Sequence, residues 1–147
     1  MKKWKEYYLK DLSRYGGVKV EKDVKKLLKS FRKCQFASGK ISSLIAKYKF
    51  RTIKRKLGIE LFGKTNIGEG LYLGHAYGIT INSEAKIGKN CNIHKGVLIG
   101  QENRGERKGA PVIGNNVWIG AGSVVTKSIP DNTLAYGVPC NVIRKIK

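Results

Sequence analysis

Ten aliphatic residues mark a slow beat through the second half of the chain: Leu61, Ile67, Leu73, Ile81, Ile87, Ile93, Ile99, Ile113, Ile119 and Val125. Most steps are six residues; Leu73 to Ile81 is eight and Ile99 to Ile113 is fourteen. Gly follows six of the ten beats. An ordinary strand alternates in and out with period two. One large aliphatic per six residues describes a short strand, a small residue and a corner. A fixed hexapeptide period denotes a β-helix, with triangular coils of about eighteen residues and Ile stacked over Ile in a narrow core. Asn66, Asn90, Asn115, Asn116, Gly70 and Gly96 suit the corners, because both residue types tolerate left-handed backbone angles.

The two long steps interrupt the beat. The eight-residue step holds Gly74-His75-Ala76-Tyr77-Gly78-Ile79-Thr80, so two extra residues bulge at a corner. The fourteen-residue step holds the charged, Gly-containing stretch from Gln101 to Pro111, an excursion thrown out of the coil. Loops on rigid solenoids carry function.

Before the beat the period changes to that of helices, over residues about 3–15, 21–33 and 40–57. In the second, Val24, Leu27, Leu28 and Phe31 form one apolar stripe at i, i+3, i+4, i+7. In the third, Ile41, Leu44, Ile45, Tyr48 and Ile53 are expected to do the same. Gly16-Gly17 and Ser38-Gly39 break the helices. The division expected is a basic α-helical segment at 1–57, a β-helix at 58–138 and a basic tail at 139–147.

Charge is unevenly spread. Residues 1–56 hold 19 Lys or Arg against 4 Asp or Glu, a balance of +15; the rest hold 11 against 6, or +5. Such a field suits anionic surfaces. The helices read either as a cap or subunit contact on the coil, or as basic amphipathic helices against an anionic membrane. No nucleic-acid motif is present, so no nucleic acid is expected as partner. No run of 18 apolar residues suggests a membrane span, and Met1-Lys2-Lys3-Trp4 lacks the apolar core of a secretory signal. Cys34, Cys91 and Cys140 are scattered and read as reduced packing residues. Together these suggest a cytoplasmic protein, with the inner face of the membrane as an optional contact.

Only two histidines exist. His94 lies in a regular beat. His75 lies in the bulged corner beside Gly74, where a rigid scaffold re-aims side chains. With Thr65-Asn66-Ile67-Gly68-Glu69-Gly70-Leu71-Tyr72-Leu73-Gly74-His75, Val97 to Gly105, Val112 to Gly122 and Ile129 to Pro139, residues about 57–143 resemble the serine acetyltransferase branch of the left-handed β-helix hexapeptide acyltransferases. The resemblance implies the hand of the coil, a homotrimer, acetyl-CoA as co-substrate, no metal, and His75 as general base. Neutral imidazole suits that role because its pKa lies near the operating pH. It also implies that Glu60, fifteen residues earlier, orients the imidazole. CoA is expected along the coil, with Gly100, Gly120 and Ala121 beside the pantetheine and Lys127 and Arg144 on phosphates.

Departures from the family bear on the acceptor. Serine acetyltransferases resemble Asp-His where this chain has Gly74-His75, and Arg-His-Pro where it has Gly109-Ala110-Pro111. The partners for both ends of a zwitterion are missing, and an unpaired charge in a closed site is costly. The chain looks closer to short relatives in capsule and exopolysaccharide synthesis, so a sugar hydroxyl is expected, contacted by Gly74, Tyr77, Lys95, Arg104 and Arg107. The alternatives are serine O-acetylation and a non-catalytic trimeric module at a membrane. Relatives also run another coil between the Trp118-Ile119-Gly120 and Ser123-Val124-Val125 beats, so a shortened CoA groove is expected here.

Overall fold

The computed structural model describes residues 1–105 and 108–146. Among them, helices α1 (Lys3–Ser13), α2 (Lys22–Gln35) and α3 (Lys40–Lys56) precede eleven short strands. The strands wind as a parallel β-helix with three faces. Face I holds β1 (Asn66–Ile67), β4 (Lys86–Ile87) and β7 (Val112–Ile113). Face II holds β2 (Tyr72–Gly74), β5 (Asn92–His94), β8 (Trp118–Ile119) and β10 (Thr133–Tyr136), with β11 (Asn141–Lys145) at its end. Face III holds β3 (Thr80–Ile81), β6 (Leu98–Ile99) and β9 (Val124–Val125).

Register explains the beat. Leu73, Ile93, Ile119 and Ala135 stack on face II. Ile67, Ile87, Ile113 and Ile129 stack on face I, and Ile81, Ile99 and Val125 on face III. All ten beat residues are buried. Ile129 and Ala135 extend two columns after a step of four and then six, which the strict period does not announce.

Corners are built by small and amide side chains. Asn90, Asn116 and Asn132 adopt φ of 56, 54 and 56°. Their amides form a ladder: Asn90 Nδ2 donates to Asn116 Oδ1 at 3.3 Å, and Asn116 Nδ2 to Asn132 Oδ1 at 2.8 Å. At the same edge Gly68, Gly88 and Gly114 stack so closely that a Cβ on Gly88 would lie 2.5 Å from the Gly114 oxygen. Asn66 lies within β1 and not at a corner.

The helices are locked onto the first coil by a buried ion pair. Arg32 Nε and Nη2 donate to the two Asp11 oxygens at 2.7 and 2.8 Å. Arg32 also donates to the carbonyls of Ile67 and Gly68, and the Leu71 amide donates to Asp11 Oδ1. The Tyr15 hydroxyl bonds the carbonyl and amide of Leu73, and burial pushes its pKa up to about 12.

Val24, Leu27, Leu28 and Phe31 are buried as one stripe of α2. The stripe expected on α3 is a correction. Only Ile53 of it is buried; the buried residues of this helix are Ala46, Phe50 and Ile53. Ile41, Leu44, Ile45 and Tyr48 face outward. The packing face is chosen by Phe50, whose ring centroid lies 5.7 Å from that of Phe31. The C-terminal segment 139–147, expected as a basic tail, carries β11, which pairs antiparallel with β10.

Candidate functional site

The bulged corner lies between face II and face III in the first coil. His75 adopts φ +50°, a conformation that a non-glycine side chain rarely takes and that collects at functional sites. The bulge is pinned from both sides: the Gly78 amide donates to the Leu57 carbonyl, and the Gly96 amide to the Tyr77 carbonyl. A short bond from the Tyr77 amide to the His75 carbonyl, 2.7 Å, tightens the turn itself. His75 and Tyr77 are consequently exposed on a fixed backbone.

Glu60 arrives from the segment after α3. Its amide donates to Ile79, and its carbonyl accepts from Ile81. That sets Glu60 above Thr80 at the start of face III, on the side of the His75 corner. Its side chain is exposed. The Glu60 carboxylate and the His75 imidazole form no ion pair among the described residues. The backbone of Glu60 is thus fixed beside Thr80, next to the corner that carries His75.

The second histidine is where sequence reading falls short. Gly74 pairs with His94 across face II. A Cβ on Gly74 would lie 2.3 Å from His94 Nδ1 and 2.6 Å from Cε1. The His94 ring therefore fills the space a side chain at position 74 would need. It stacks on Trp118, with centroids 5.0 Å apart and planes 14° apart, and sits 5.9 Å from Tyr72. Its Nε2 is buried without a hydrogen-bond partner among the described residues. Burial lowers its pKa, and the neighbouring His75 lowers it further. An imidazole whose charged form burial disfavours is thus wedged directly behind the His75 corner. The twenty-residue offset from Gly74 to His94 was the available signal, but it requires knowing that this coil is two residues longer than the period.

The remaining site residues are distributed over three places. Lys95 and Ala121 are exposed on the same edge as His75, in successive coils, and the Lys95 amide donates to the Gly74 carbonyl. Gly120 begins that corner in the third coil; its amide is committed to Ala135. Gly100 lies at the other border of face III, its amide committed to Val125. Both amides are thus used within the coil, which leaves the small side of each glycine as the surface it offers. Lys127 is exposed on the Gly100 edge. After Gly100 an isolated antiparallel bridge joins Glu102 and Gly109, and Arg104 is exposed beyond Glu102. Arg107 lies outside the described residues. Arg144 is in β11 opposite Leu134, at the end of face II. Within one chain, then, Gly74, Tyr77, Lys95, Gly120 and Ala121 accompany His75. Arg104, Gly100, Lys127 and Arg144 do not.

Thiol chemistry is disfavoured at all three cysteines. Burial pushes the Cys91 thiol up to about 11, and also raises Cys34 and Cys140. A thiol held protonated is a poor nucleophile. What the corner can do is accept a proton from a hydroxyl at an exposed imidazole.

No protein-family model matches the chain. It is 33% identical over 104 residues to a serine acetyltransferase from Synechococcus elongatus, covering 58% of this chain and 43% of the relative. A serine acetyltransferase from Staphylococcus xylosus is 34% identical over 106 residues, covering 60% and 49%. The chain spans about half the length of the curated relatives it matches. In fold it is similar to soybean serine acetyltransferase, both as apoenzyme and complexed with serine, with a TM-score of 0.74 at 19% identity over 95% of this chain and 69% of that one. A serine acetyltransferase in complex with CoA gives 0.70 at 19% identity over the same shares. The chain is serine acetyltransferase-like in sequence and has the fold of those enzymes.

Proposed function

We propose that this protein transfers an acetyl group from acetyl-CoA to a hydroxyl, with His75 as general base. The observation that carries the reading is the His75 corner: an exposed imidazole held at φ +50° on a rigid coil, in a chain similar to serine acetyltransferases. The imidazole removes the hydroxyl proton as the oxygen attacks the thioester carbon, and the CoA thiolate leaves and takes up the proton. Glu60 would complete the base by turning towards His75 when the acceptor binds, stabilising the imidazolium. The likeness to a CoA complex supports CoA as the second ligand. Gly120, Ala121, Gly100, Lys127 and Arg144 are proposed beside it, and since they occupy separate edges and ends of one coil, a homotrimer would be needed to gather them.

The acceptor has two readings. The named relatives act on serine and favour it here too. One feature favours a sugar hydroxyl instead. The side chain that would hold an ammonium at position 74 is absent, and His94 occupies its space. With Gly109 and Ala110 where the family resemblance places an arginine and a histidine, a zwitterion would meet few charges of its own. On this reading Gly74, Tyr77 and Lys95 meet the sugar at the His75 edge, and Arg104 and Arg107 would reach it only from a neighbouring copy in a homotrimer.

Turnover of acetyl-CoA, read as thiol release, with serine and with a glycan panel separates the two. His75→Ala should lower the rate about 10²–10⁴-fold with the true acceptor. Equal rates in the two proteins would sink the mechanism, and serine-dependent release alone would sink the sugar reading.

A further inference from the structure

Helix α3 is apolar on two opposite sides. Ala46, Phe50, Ile53 and the following Leu57 are buried. On the far side Ile41, Leu44, Ile45 and Tyr48 are 77, 70, 53 and 69% exposed. At i, i+3, i+4 and i+7 these four lie in one stripe. The seventeen residues of α3 include seven Lys or Arg and no acid. At about 100° per residue, Lys40, Lys47 and Arg51 border one side of the stripe and Lys49 and Lys56 the other. Next to Tyr48, a groove of about 520 Å³ opens between α2 and α3, lined by Lys26, Lys29, Lys33, Lys49 and Lys56. Asp23 is its one acidic group among the described residues, and it is already paired with Lys56.

An exposed apolar stripe needs an occupant, and charge selects it. A second copy docking on this face would bring two regions of +15 together, with repulsion concentrated where the apolar contact must form. An anionic bilayer reverses that sign. Its acyl layer accepts the stripe, and its phosphates accept the lysines that border it, whose stems can lie along apolar surface while their heads reach outward. No helix among the described residues is long and apolar enough to cross a membrane, so the contact is one of lying on the surface.

We propose that α3 lies in the interface of an anionic phospholipid bilayer, with Ile41, Leu44, Ile45 and Tyr48 among the acyl chains and the lysines of the α2–α3 groove on lipid phosphates. This does not rest on the acetyl-transfer reading.

The test uses the full chain and vesicles of phosphatidylglycerol mixed with phosphatidylcholine, or phosphatidylcholine alone, in a sedimentation assay. Two variants change exposed side chains only: Ile41→Ser/Leu44→Ser/Ile45→Ser/Tyr48→Ser, and Lys26→Gln/Lys29→Gln/Lys49→Gln. Binding should require the anionic lipid, weaken with salt, and fall at least about tenfold in each variant. Circular dichroism confirms that the helices remain. Three results overturn the proposal. One is no binding by the parent protein. Another is a stripe variant that changes molecular mass by light scattering while keeping vesicle affinity, which would make the stripe a subunit contact. The third is a stripe variant that binds vesicles and soluble polyphosphate as the parent does, which would leave a groove for free anions.

Discussion

Replacing Arg32 by Met should unfasten the helices from the coil. Arg32 and Asp11 are both fully buried. The guanidinium uses all its N–H donors: two on Asp11, two on the carbonyls of Ile67 and Gly68, and one shared with Gln35. Met keeps the stem and removes the fork. Asp11 then retains the Leu71 amide, and Gly68 loses its donor. Breaking one side of a buried ion pair costs about 3–5 kcal/mol. For a chain of this size each kcal/mol moves Tm by about 2–4 °C, so a fall of about 6–20 °C is expected. The pH dependence is a sharper test. Burial raises the Asp11 pKa, while the hydrogen bonds and charge of Arg32 pull it down. Without Arg32 it rises further. A carboxyl whose folded pKa lies above its unfolded value binds more protons when folded, so stability falls as pH rises through that window and returns on acidification. The deficit of Arg32→Met should therefore be larger at about pH 8 than at about pH 5. Denaturant melts followed by circular dichroism, at fixed protein concentration, measure both. A loss under about 1 kcal/mol, or a deficit indifferent to pH, would refute the reasoning.

Two further outcomes concern the corner. Gly74→Asp should destabilise the protein by about 1–3 kcal/mol, because its Cβ enters the His94 ring, and Gly74→Asp/His94→Leu should recover part of that; a thermal melt of Gly74→Asp indistinguishable from the parent would contradict the steric reading. His94 is held below its ordinary value of 6.5 by burial and by His75. The unfolded chain therefore takes up a proton first on acidification, and stability present above that value is lost as pH falls through it. His94→Leu should flatten the change in Tm between about pH 7 and about pH 5.5, and an unchanged slope would count against it.

The coil was legible because its signal is local and repeated. Each beat residue needs only its own six-residue neighbourhood to be placed inside, and all ten are. The His75 bulge was legible for the same reason, as a break in a count. What escaped depends on neighbours distant in the chain. Gly74 and His94 meet through register twenty residues apart. Nothing in its local pattern sets Arg32 apart from the other basic residues of α2, yet Asp11, 21 residues away, draws it into the interior. On α3 the pattern held two apolar faces, and periodicity does not say which one a neighbour covers. Phe50 settles it by reaching Phe31.

Strand β11 bears on how long the molecule can be. A stack of parallel strands ends on a rung whose amides and carbonyls point along the axis at empty space, which is the geometry of a growing fibre. In β11 the chain reverses and lays an antiparallel strand over that rung. Its hydrogen-bond spacing does not match that of a parallel newcomer. Arg144 and Lys145 stand exposed on it, so a second coil arriving end-on at face II would also meet positive charge. By turning back on itself once, the chain replaces the open parallel rung of face II with an antiparallel edge.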